Sequence, residues 1–177
     1  MNRIISKSLF YIQKWLLGIF VYFDRRIYMR FYNNLLKQHG VKLNGQPRFI
    51  AKSVKFDDFD RIILGDRLVV SMNVHFLTHD YSYTTALIAI DKKPTTDKAV
   101  INEIMIGNNV FIGMNTTILP GTRIGDNVIV GAGSVLRGVV PENSIVIGNP
   151  AEVVGDIRNY AQKMMERNDV TIVIDKK

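Results

Sequence analysis

Three histidines, His39, His75 and His79, are the side chains of this 177-residue chain best suited to moving a proton near neutral pH. An imidazole can accept a proton in one step of a reaction and return it in the next. Cysteine is absent, which removes disulfides, thiolate metal sites and a cysteine nucleophile, and fits a reducing compartment. His75 and His79 stand four residues apart. On a helix that spacing would align two metal ligands, but the surroundings read as strand and loop and no third histidine follows closely. No metal site is expected. The segment Phe76-Leu77-Thr78-His79-Asp80-Tyr81-Ser82 gathers an imidazole, a carboxylate and a phenol within a few residues.

These groups sit on a repeat. From Ile106, aliphatic residues recur at every sixth position, at Ile112, Ile118, Ile124, Val130 and Leu136. Four places after each comes a small or β-branched residue: Val110, Thr116, Thr122, Val128, Ser134 and Val140. Glycine follows the aliphatic at Gly107, Gly113, Gly125 and Gly131. The frame also holds backward, through Leu64-Gly65, Val70 and Phe76. A period of six is neither helical nor a plain alternating strand. It fits short strands joined by tight turns, each coil too small to bury its own apolar face until another stacks on it. The triplets Gly65-Asp66-Arg67, Gly107-Asn108-Asn109 and Gly125-Asp126-Asn127 supply turn residues that tolerate positive φ. The period lapses between Leu77 and about Glu103, so residues 80–102 read as a loop ejected from the coil. A looser stretch from Val41 to Phe59 is expected to form the first coil.

The fold class expected is an all-β solenoid over residues 41–155. Residues 1–40 form a helical segment before it, and residues 156–177 a C-terminal helix, from Asp156 to Arg167, with a tail. The formal charge of +7 is concentrated at the front. Residues 1–42 hold eight basic residues against Asp24, and the rest of the chain holds fifteen of each sign. That balance gives no reason to expect nucleic acid as a partner. Residues 8–38 read as one or two helices with Gly18 a weak point and Gly40 a stop. Their longest uncharged apolar run, Trp15 to Phe23, is nine residues, far below the roughly 20 of a membrane span. Lys14 interrupts any secretion-signal core. Basic residues interleaved with nine aromatics suit a helix lying on an anionic membrane surface, or one packing its aromatic side on the solenoid.

The runs Ile106-Gly107-Asn108-Asn109-Val110-Phe111-Ile112-Gly113, Ile118-Leu119-Pro120-Gly121, Val130-Gly131-Ala132-Gly133-Ser134 and Gly148-Asn149-Pro150-Ala151 resemble those of the hexapeptide-repeat O-acetyltransferases. Within that family the likeness is to maltose, galactoside and nodulation-factor acetyltransferases and to the sugar acetyltransferases of capsule and O-antigen clusters. The resemblance implies a left-handed β-helix of triangular section, assembled as a homotrimer, with acetyl-CoA bound between subunits and no metal. It places His79 at the catalytic position, as the general base that deprotonates an acceptor hydroxyl. His75 reads as structural. By position, Gly113, Met114, Gly131 and Ala132 fall where the family lines the pantetheine, and Arg137 where it can meet a CoA phosphate. The basic residues that often follow the Gly-Asn-Pro turn are replaced by Glu152 and Gly155, leaving Arg158 or Lys163 as substitutes.

The acceptor side is assigned to Asn73, Asp80, Tyr81 and Tyr83, where tyrosines can stack on a sugar ring or pack against another subunit. The family's acceptor-binding asparagine is matched here by Ser53. For the carboxylate or amide that orients His79, Asp80, Asn73, Asp57, Asp58 and Glu103 all remain open. The function implied is acetyl transfer from acetyl-CoA to a sugar hydroxyl, on a polysaccharide or lipid-linked precursor. The chain would be cytoplasmic or peripheral on the inner face of the membrane. A trimeric β-helix without chemistry, or a transferase for a non-sugar acceptor, are the alternatives.

Overall fold

The computed structural model describes residues 3–167; the tail from residue 168 onward, including Thr171–Lys177, lies outside them. Beyond the N-terminal helices the chain winds through three parallel sheets in turn, one short strand per face. Among the described residues the first sheet stacks Lys42–Leu43, Ile62–Leu64, Ile104–Ile106, Arg123–Ile124 and Val139–Val140. The second stacks Phe49–Ile50, Val69–Val70, Phe111–Ile112, Ile129–Val130 and Ser144–Gly148, and Ala151–Asp156 folds back antiparallel on its end. The third stacks Lys55–Phe56, His75–Phe76, Thr117–Ile118 and Val135–Leu136. The result is a three-faced parallel β-helix.

The register is the six-residue period made physical. Ile106 pairs with Ile124, Ile112 with Val130 and Ile118 with Leu136, each eighteen residues on. These side chains, with Leu64, Val70 and Phe76, form a buried column along the axis. The second set of the repeat is buried as well, and its polar members are satisfied by backbone carbonyls. Ser134 Oγ donates to Gly131 O at 2.6 Å, and Thr122 Oγ1 to Leu119 O at 2.7 Å. In the turns, the third residue of each triplet takes the left-handed conformation, at Arg67, Asn109 and Asn127. Stacked asparagines then bond from coil to coil, Asn109 Nδ2 to Asn127 Oδ1 at 2.9 Å and Asn127 Nδ2 to Asn143 Oδ1 at 3.1 Å. The repeat glycines serve a different need. A Cβ on Gly113 would lie 2.5 Å from the backbone nitrogen of Ala132 in the next coil, so the glycine is required by the closeness of the coils.

Residues Leu64 and Ile106 also pair, but across forty-two residues, so twenty-four residues leave the helix at this one corner. This excursion is not a bare loop. His79–Asp80 pairs antiparallel with Val100–Ile101, closing its neck, and a helix, Ser82–Ala89, forms inside it.

Two helices cover the open end of the solenoid. We term them α1 (Arg3–Leu17) and α2 (Arg25–Gln38); a single 3-10 turn, Phe20–Tyr22, follows Gly18 between them. Asp24 caps α2, accepting from Arg26 N at 2.7 Å and Ile27 N at 3.4 Å. The segment's aromatics divide. Phe10, Tyr28 and Tyr32 are wholly buried and extend the solenoid's column, touching Phe59 and Phe49, whereas Trp15, Phe20, Tyr22 and Phe23 face outward. At the C-terminal end, helix Ile157–Met165 is capped by Asp156.

One cation enters this core. Lys14 is 4% exposed, its ammonium donating to Val54 O at 2.5 Å among the rings of Phe10, Tyr11, Tyr32 and Phe56, each within 6 Å. Burial lowers its pKa from 10.5 to about 7. The folded chain therefore releases this proton near pH 7, while the unfolded chain keeps it to about 10.5. Between those limits the unfolded state binds more protons, so stability rises with pH, by up to about 1.4 kcal/mol per unit from one group. Urea unfolding at pH 7.5 and 9.5 is expected to show this gain in the wild type and to lose it in Lys14→Met.

Candidate active site

The corner between the third and first sheets brings together residues from four successive coils. The first coil supplies Asp57 and Asp58, the next Thr78 and His79, then Leu119 and Pro120, then Arg137. His79 leaves the third sheet just where the excursion begins. Its Nδ1 lies 3.6 Å from Asp57 Oδ2 and 3.8 Å from Asp58 Oδ2. These are ion-pair separations, longer than a hydrogen bond. Thr78 fastens this pair of acids to the histidine's strand: its N–H donates to Asp57 Oδ2 at 3.4 Å, and its hydroxyl oxygen accepts from the backbone N–H of Asp58 at 3.3 Å. From behind, Lys7 of α1 approaches Asp57 Oδ1 at 3.8 Å, and Arg61 approaches Asp58 at 3.9 Å. The ring of Tyr81 meets the imidazole edge-on, centroids 5.5 Å apart. The imidazole is about one-third exposed, so a substrate can reach it.

Nδ1 is the ring nitrogen turned to the two carboxylates, which leaves Nε2 as the one facing away from them.

Of the groups open as the histidine's partner, the structure brings Asp57 and Asp58 to it. Glu103 is engaged by Lys42 at 3.1 Å. Asp80 accepts from Ser82 N at 2.9 Å and faces Arg137 at 4.0 Å; the bonds from Ser82 and the nearby guanidinium hold its carboxyl below the usual range. Asn73 is in the left-handed region, its side chain bonded to Asn115 at 3.2 Å and its N–H to Ser53 Oγ at 2.9 Å. His75 points outward from the third sheet between Lys55 and Thr117, and His39 is bonded within the helical cap to Gln13 and Ser6. Among the described residues no three His, Asp or Glu side chains converge as a metal site would require.

Beside the histidine, Asp80, Ser82, Tyr83, Ala86, Val100, Pro120 and Arg137 line an open pocket of about 290 Å³. Arg137 thus sits with the residues assigned to the acceptor. The other positions assigned to the cofactor, Gly113, Met114, Gly131 and Ala132, lie with Asn73 on the opposite edge of the third sheet. Between Gly131 and Arg137 the chain makes the turn at Ala132–Gly133 and then crosses the third face as the strand Val135–Leu136. Arg158 is engaged by Asp156, whose carboxyl it holds at about 2.

Comparison with known proteins places this architecture. Residues 103–138 match the bacterial transferase hexapeptide family, six repeats. Protein CapG of Staphylococcus aureus is 39% identical over 138 residues, covering 77% of each chain. The putative lipopolysaccharide biosynthesis O-acetyl transferase WbbJ of Escherichia coli K12 is 27% identical over 151 residues, 78% of this chain and 76% of that one. The solved galactoside acetyltransferase in complex with coenzyme A shares the fold, with a TM-score of 0.58 and 20% identity over 94% of this chain and 90% of the other. The repeat, its eighteen-residue register and these similarities together make the chain a member of the bacterial hexapeptide-repeat transferase family.

Proposed function

We propose that the chain transfers an acetyl group from acetyl-CoA to a sugar hydroxyl, on a polysaccharide or a lipid-linked glycan precursor, with His79 as general base. The observation that carries this is the partly exposed imidazole facing Asp57 and Asp58 at the corner where the excursion leaves the solenoid. His79 Nε2 takes the acceptor's proton as its oxygen attacks the thioester carbonyl. The tetrahedral oxyanion that forms needs backbone N–H donors to stabilise it. Its collapse breaks the C–S bond, and the imidazolium returns the proton to the departing thiolate. Asp57 and Asp58, facing Nδ1, orient the ring.

The acetyl donor is supported by the fold neighbour that was solved holding coenzyme A, and the glycan acceptor by the lipopolysaccharide biosynthesis named for WbbJ. The finer features follow from the family resemblance: a left-handed coil, a homotrimer, and a cofactor lying along the crevice between subunits. The separation of His79 from Gly113, Met114, Gly131 and Ala132 across one face supports the shared crevice. One subunit's catalytic edge would meet its neighbour's cofactor edge, so that both halves reach one acetyl group. Tyr81, Tyr83, Asp80 and Arg137 would then shape the acceptor side. The chain would work in the cytoplasm at the inner face of the membrane, where acetyl-CoA and lipid-linked precursors meet.

Thiol release from acetyl-CoA over a panel of sugars tests the reading. In His79→Ala turnover is expected to fall by roughly 10²–10⁴-fold with coenzyme A still bound. Unchanged turnover in that variant would remove the histidine from the reaction. Asp57→Asn keeps the acceptor oxygen that Thr78 N uses but removes the charge. It should lower kcat and leave KM for acetyl-CoA unchanged, with Asp57→Glu partly restoring the rate. Equal effects on both constants would make Asp57 a structural residue.

A further inference from the structure

The outward side of the helical cap carries more apolar surface than the fold uses. Along α1, Leu9, Ile12, Trp15 and Leu16 are exposed on the side away from buried Phe10 and Lys14, and Ile19 is exposed just beyond the helix. The surface continues through Phe20, Tyr22 and Phe23 at the turn, the last 82% exposed, and onto α2 through Ile27 and Phe31. The rings of Phe20 and Phe31 meet at a tilt with centroids 6.0 Å apart, joining the two halves into one patch. Tyr22 is tethered from the solenoid by Lys52, whose ammonium donates to its hydroxyl at 2.9 Å and lies 4.9 Å from its ring centre. Immediately after this crest come Arg25, Arg26 and Arg30, all exposed. Asp24, the acid of residues 1–42, has its carboxylate turned to the amide groups of α2.

We infer that this face docks the protein on an anionic lipid bilayer, with the Trp15–Phe23 crest entering the headgroup boundary and the three arginines binding acidic headgroups. The inference rests on the reading that the acceptor is lipid-linked, and gives that reading a surface. Exposed aromatics backed by arginines are the arrangement an interfacial segment needs, apolar bodies in the acyl boundary and cations at the phosphates. No described helix is long and apolar enough to cross a membrane, so the contact lies in the interface plane. Charge argues for lipid over a second copy. A self-complementary contact sets the same patch against itself and gathers both copies' Arg25, Arg26 and Arg30 into one interface. The remaining chain, with fifteen residues of each sign, offers no excess of negative charge to receive them.

Trp15 is the chain's single tryptophan, and at 75% exposure it reports the contact directly. The full chain is titrated with phosphatidylcholine vesicles and with vesicles that also contain phosphatidylglycerol, following fluorescence and flotation. With phosphatidylglycerol the emission should shift to the blue and the protein should float, an effect that salt reduces. Arg25→Gln with Arg26→Gln should weaken binding about five-fold per arginine, and Phe20→Ser with Phe23→Ser should abolish flotation. Equal binding to neutral vesicles, or variants that bind as the wild type does, overturns the inference. So does a change of oligomeric state in the variants by sedimentation, which would make the face a subunit contact. Vesicle binding is read without acetyl-CoA or acceptor, so its failure is distinct from failure of the transferase reading.

Discussion

The stacking of coils at constant register is the constraint on which the rest of the structure depends. A coil of eighteen residues cannot bury its own Ile, Val and Leu; only a neighbour at the same register closes the column. Two further demands follow. Glycine is needed at corners where the next backbone passes within 2.5 Å of a Cβ, and at the left-handed corners Asn109 and Asn127 the asparagine also bonds to the next turn. Chemistry is then possible only at corners and on outward positions, because every inward position belongs to the column.

The active-site candidates obey that division. His79 and its carboxylates occupy one corner in adjacent coils, so their separation is set by the strand spacing of the solenoid and not by a flexible loop. The twenty-four-residue excursion leaves from the same corner and returns to register, which lets a pocket form beside the histidine without disturbing the column. At the open end the column would be exposed to water. The aromatic side of α1 and α2 covers it, and the helices then present their other side outward.

Much of this was legible in the residues because it is periodic. Ile106 through Leu136 announces both the strand spacing and the buried column, and the lapse after Leu77 marks the excursion. What lacks a period was hidden. The neck strands, two residues each, leave no pattern, and Ser82–Ala89 is apolar and β-branched without a helical stripe. The pairing of His79 with Asp57 and Asp58 was open among several acids because the coil between them is irregular, Phe56 pairing with Phe76 at twenty residues instead of eighteen. Lys14 read as a break in an apolar run, and nothing in its neighbours foretold a cation inside a cluster of rings. The glycines of the repeat suggested turn conformations; the structure assigns those to the third residue of each triplet, Arg67, Asn109 and Asn127, and gives Gly65, Gly107 and Gly125 to close packing.

The central claim is that one acetyl group is reached from two edges, the histidine edge of one subunit and the Gly113–Ala132 edge of its neighbour. A structure determined with coenzyme A bound tests it most directly. The account predicts a trimer with the pantetheine running between two subunits, its sulfur within reach of His79 of one and its chain against Gly131 and Ala132 of the other. Coenzyme A held within a single subunit, or bound away from His79, would contradict it.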